Sequence, residues 1–95
     1  MDTERLLEIG ERGIHLLFDT SMITAAFEQD ADLLRAAVAG RYEEIHFAVA
    51  HLADLESVAQ GRRFIESLSA PVRHVVVLLY FELLDGRLRR HPILH

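Results

Sequence analysis

Val75-Val76-Val77-Leu78-Leu79-Tyr80-Phe81-Glu82-Leu83-Leu84 is the stretch whose reading decides the fold. It is apolar on almost every side, and two backbone periods compete for it. Three consecutive Val with Tyr and Phe favour a strand, and Asp85-Gly86 behind them is a hairpin signal. Helix signals oppose this. Ser69 is placed to cap, and Pro71 falls in a first turn, where its missing N–H costs nothing. Gly86 supplies a C-terminal stop. No second convincing strand exists to pair with, since Arg87 to His91 is a poor one. The reading is a helix running to Asp85, with a buried strand as its rival. In a chain of 95 residues, a segment apolar all round must be buried on all sides or shared between its own core and a second chain.

Upstream, one apolar stripe keeps a single register. Leu34, Val38, Ile45, Ala48, Leu52, Leu55 and Ala59 share it, with Arg41 in the polar slot. Steps of four and three make this a heptad-like seam. The seam holds phase across Gly40, which favours one long helix over 31–60. The alternative is two helices with Gly40 as a left-handed stop. Gly61 ends the segment in either case, and residues 62–68 add a further turn or two.

Residues 3–18 read as the first helix, with Thr3 as cap and Glu4 in the first turn. Gly10 and Gly13 each cost about 1 kcal/mol inside a helix. Their structural justification would be a groove where another helix backbone comes close. Asp19, Thr20 or Ser21 can cap a short helix over 19–29, and Asp30 caps the next.

Composition narrows the class. The length suits one domain over 1–95, and 51% hydrophobic with 26% charged residues argues against disorder. That much apolar residue is hard to hide in a small chain, which points mildly to an oligomer interface. With no Cys, disulfides, thiolate metal sites and Cys nucleophiles are excluded. The formal net charge is −5, and acids dominate the first half. An acidic body argues against general nucleic-acid binding, and the basic run Arg87-Leu88-Arg89-Arg90-His91 does not reverse that. No signal peptide opens the chain, and the run from Val75 to Phe81 is too short to span a bilayer. These features imply a cytoplasmic protein without a membrane segment. All basic residues are Arg, with no Lys, a pattern that fits codon bias better than mechanism.

Three constellations could carry chemistry. Glu43 and His46 form an E-x-x-H spacing, one carboxylate and one imidazole on a helix face, and Glu11 with His15 could join them. Di-iron bundles need two such pairs plus two further Glu. The second pair is missing here, so a solvated helix face is the favoured reading. Arg41 and His46 have an Arg-x4-His spacing similar to the active-site motif of the HEPN helical ribonucleases, which are also small, all-α and dimeric. The match covers those two residues, and Tyr42 replaces the polar residue that usually follows that family's Arg. Residues 68–82 resemble the first helix of a sigma-factor region 4 domain. The remaining chain, Arg87 to His95, is too short for the recognition helix that should follow. No nucleophile elbow, Walker loop or dinucleotide fingerprint is present, and no cofactor is implied. His51 and His74 sit between apolar neighbours and read as partly buried histidines.

The sequence thus predicts an all-α fold of four or five helices, with a long central helix and a hydrophobic C-terminal helix. The leading function is a small dimeric interaction or regulatory module without catalytic activity, with a further protein partner possible. Its expected interface includes Leu78, Tyr80 and Phe81. The alternatives are a metal- or RNA-handling enzyme using Arg41, Glu43 and His46, and a DNA-associated regulator using the basic tail.

Overall fold

The computed structural model describes residues 2–90. Their regular structure is all helix, with no strand among them: α1 Thr3–Glu11, α2 Thr20–Phe27, α3 Ala31–Gly40, α4 Tyr42–Asp54, α5 Val58–Ser67 and α6 Ala70–Arg90. The competing strand at 75–84 is therefore excluded. Gly86 does not stop α6, which continues to Arg90.

α6 is the axis of the fold. α1, α2, α3 and α4 all pack on it, and α3 also packs on α4. Val72, Val75, Val76, Val77, Tyr80 and Leu84 of α6 are buried. Leu6 and Leu7 from α1, Ala26 from α2, Ile45 and Ala48 from α4, and Ile65 from α5 complete the core with Leu17 and Phe18. Several helices each cover one sector of α6, so its wide apolar face needs no strand partner.

α1 is shorter than the sequence suggests. Asp2, not Thr3, caps it, accepting from the Arg5 N–H at 3.3 Å. It ends at Glu11 because Gly13 takes a left-handed φ of 85°. The Gly13 N–H donates to the Gly10 carbonyl at 2.9 Å and the Ile14 N–H to the Ile9 carbonyl at 3.4 Å. This is a Schellman termination. It frees residues 12–19 to fold back, burying Leu17 and Phe18. Asp19 then caps α2, and its carboxylate accepts from the Met22 N–H and the Ser21 hydroxyl. Those bonds hold its pKa below the ordinary Asp value. The cap is therefore fully formed above the ordinary carboxylate range and is lost as pH falls through the lowered value. Asp30 caps α3 through the Asp32 and Leu33 N–H groups.

The long central helix is the main correction. Three helices divide the stretch read as 31–60. α3 and α4 are separated by one residue, Arg41, with φ −128° and ψ 28°. The hydrogen bonds end and restart at this residue: the Arg41 N–H closes α3 on the Ala37 carbonyl at 2.9 Å, and the Arg41 carbonyl opens α4 by accepting from the Ile45 N–H at 3.0 Å. A one-residue break hardly disturbs the register, which is why the apolar seam keeps phase across it. Gly40 is not a left-handed stop either, because Gly13 is the only glycine with positive φ among the described residues. A Cβ at Gly40 would meet nothing within 4 Å. Gly40→Ala should therefore raise stability by roughly 0.4–1 kcal/mol, through helix propensity and a less free unfolded chain, in urea or thermal melts.

The second break falls at Leu55, whose ψ of 146° is extended. Ser57 caps α5 by accepting from the Gln60 N–H at 3.2 Å, while the Gln60 side chain accepts from the Glu56 N–H at 3.0 Å. This is a variant of the reciprocal capping box. Gly61, expected to end a helix, lies buried inside α5.

Arg73 closes the other end of α5. Its guanidinium donates to the carbonyls of Ile65, Glu66 and Leu68 at 3.2, 3.2 and 2.8 Å. Helix C-termini leave such carbonyls without partners, and a forked cation satisfies several at once. Arg73→Ala should cost about 1 kcal/mol in a denaturant melt, with Arg73→Lys recovering only part of it. Two further contacts hold α5. Arg62 donates to the Leu16 carbonyl at 2.7 Å, and Phe64 lies against His51 with ring centroids 4.6 Å apart.

Candidate interaction surface

The residues singled out for chemistry do not converge. Glu11 is engaged by Arg87, whose Nε donates to Oε1 at 2.9 Å while its Nη1 pairs with Glu4. This clamp ties α1 to the far end of α6. The Arg87 side chain is only 13% exposed, so water screens this pair less than the other ion pairs. The two carboxylates hold the Arg87 pKa above its ordinary value.

His15 faces the core instead of a metal partner. Its Nδ1 is 2.8 Å from the Tyr80 hydroxyl, and its ring meets those of Tyr80 and Phe81 edge-on at 5.5 and 4.8 Å. Glu43 and His46 are exposed on α4. His46 stacks on Tyr42 with centroids 6.2 Å apart. Arg41 pairs with Glu44 at 3.3 Å on the exposed α3–α4 junction. Among the described residues, no three His, Cys, Asp or Glu side chains come together as a metal site.

The three expected interface residues separate. Tyr80 is 8% exposed and belongs to the chain's own core. Phe18 and Phe81 pack against its ring at 5.2 and 5.0 Å, and burial raises its pKa. Gly10 makes room for it: a Cβ there would collide with the Tyr80 hydroxyl and press on Leu84 at 3.3 Å. The close approach anticipated at Gly10 is thus made by a side chain of α6, not by its backbone. Phe81 is half-buried between His15 and Phe27. Leu78 is half-buried and lines an open groove.

That groove runs between α3 and α6 and encloses about 380 Å³. Its walls are Leu34, Val38, Ala39, Val75, Leu78 and Leu79, with Arg35 and Glu82 as its charged residues. A second hollow of about 220 Å³ lies between α1, α4 and α6, lined in part by Leu6, Val49, Leu52, Leu79 and Leu83. Leu79 borders both, so the two hollows adjoin on α6. Val38, Val49 and Leu83 around them are 41, 44 and 54% exposed. Sequence reasoning found Leu78 on this face but missed Val38 and Val49. Val38 reads as part of the apolar seam itself, and no sequence signal marks Val49.

No helix among the described residues is long and apolar enough to cross a membrane. The chain matches no protein-family model, no curated protein and no solved structure.

Proposed function

We propose that the chain is a small helical interaction module that works as a homodimer, without catalytic activity of its own, and pairs through the face where α3 and α4 meet α6. One observation carries this reading. Two adjoining, almost wholly apolar hollows share Leu79 and are flanked by exposed Val38, Val49 and Leu83. Scattered exposed apolar residues are ordinary, but a contiguous apolar patch with charged residues at its edge is how association surfaces are built. The side chains considered for chemistry have other neighbours. Glu11 and His15 hold α6 to α1 and its following loop, Arg41 pairs with Glu44, and His46 stacks on Tyr42.

Leu78→Glu tests the reading. Leu78 lines the open groove and is half-buried, so a carboxylate there can stay hydrated in the monomer but not against a partner. Sedimentation at about 10–50 micromolar, a range that separates stable dimers from weak encounters, should show a dimeric wild type and a monomeric variant. Helical circular dichroism should persist in both. A wild type that sediments as a monomer would contradict the proposal.

A further inference from the structure

We infer that the occupant of the α3–α6 groove is the same groove of a second copy, paired about a two-fold axis that sets Arg35 of each chain against Glu82 of the other. The inference rests on the dimer reading above and specifies its contact. The groove is apolar apart from one cation and one anion, and these lie on different helices: Arg35 on α3 and Glu82 on α6. Neither is committed to a distant partner among the described residues. Among the described residues Arg35 pairs only with Asp32 one turn away, at 2.9 Å, with side chains 79 and 87% exposed. Such a pair is weakly held and readily exchanged. Glu82 has no ion-pair partner among the described residues.

A face carrying one positive and one negative point is complementary to itself. A two-fold axis lying in the face, midway between the two points, exchanges their positions. Each cation then meets the other chain's anion, and the contact forms twice, as isologous interfaces require. The same operation brings Val38, Leu78 and Leu79 of both chains together, removing their apolar surface from water. The two charges line the patch and are exposed, so they set register and reject wrong pairings more than they add affinity. An unrelated acidic or basic partner would match only one of the two charges.

The test is a charge swap read by sedimentation. Glu82→Arg alone leaves two cations on the groove, and Arg35→Glu alone leaves two anions. Each single variant should weaken self-association by about tenfold or more relative to wild type. Mixing the two should restore a dimer containing one chain of each kind, because every contact is again opposite in sign. The double variant should also restore the homodimer. A mis-folded single variant could not be rescued by mixing, so rescue reports the contact itself. A dimeric wild type with single variants that pair as tightly would overturn this contact while leaving the dimer intact. A monomeric wild type would overturn both.

Discussion

Ile65→Ala should lower the unfolding free energy by about 3 kcal/mol, within the range for large-to-small substitutions at sites that cannot collapse. Ile65 has no exposed surface, and it is the only buried side chain larger than hydrogen on α5. The other attachments of α5 are polar or only partly buried: Arg62 to the Leu16 carbonyl, Arg73 to the α5 C-terminus, Phe64 against His51, and Val58 against the core. Removing the Ile65 side chain leaves a cavity in the core and takes away the one fully buried side chain of the helix. Urea melts should show the loss. Amide exchange over Val58–Ser67 should accelerate more than exchange over the buried part of α6. A loss below about 1 kcal/mol would mean that the site collapses freely and that α5 is not anchored there.

Gly10→Ala should destabilise the protein by about 2 kcal/mol, although Ala is the better helix former by about 1 kcal/mol. The sign depends on whether Tyr80 can give way. Its hydroxyl lies where the new Cβ must go, and the ring cannot retreat easily. The His15 contact holds the hydroxyl at 2.8 Å, and Phe18 and Phe81 pack against the ring at 5.2 and 5.0 Å. The separation of α1 from α6 must therefore increase. A double-mutant cycle isolates this cause. With Tyr80→Phe the hydroxyl is gone and the ring carbon Cζ stands at an ordinary 3.4 Å, so Gly10→Ala should cost much less in that background. Equal costs in both backgrounds would place the strain elsewhere.

These two sites mark the limits of what could be read from residues alone. The helical class was legible because Asp30, Asp19 and the Ser69–Pro71 start are local signals, and all lie at or beside observed helix starts. The breaks were not. The turn at Arg41 costs one residue, so the apolar seam runs on without a phase error and imitates one helix. The break before Ser57 did carry a signal, since Ser57 and Gln60 have capping-box spacing, but the continuing seam overrode it. Gly13 and Gly86 show why glycine is ambiguous. One ends a helix in a left-handed conformation, while the other lies within α6, where packing against several helices outweighs propensity.

The candidate surface was legible only in part. Leu78, expected in the interface, lines an open groove. Tyr80, expected beside Leu78 in the interface, lies in the chain's own core. Its burial depends on Gly10 and His15, more than sixty residues away in sequence, and no local pattern encodes that contact. The same holds for Arg87, whose clamp on Glu4 and Glu11 absorbs one of the residues considered for metal binding.

The central claim is that the apolar face over Leu78 and Leu79 is covered by a second copy of the chain. The most direct measurement is the solution mass of wild type and Leu78→Glu, side by side, by sedimentation equilibrium at about 10–50 micromolar. The expected result is a wild-type mass of twice the 10.8 kDa chain and a variant at the chain mass with unchanged helical circular dichroism. A wild-type mass equal to the single chain, or a Leu78→Glu dimer as tight as wild type, would contradict it.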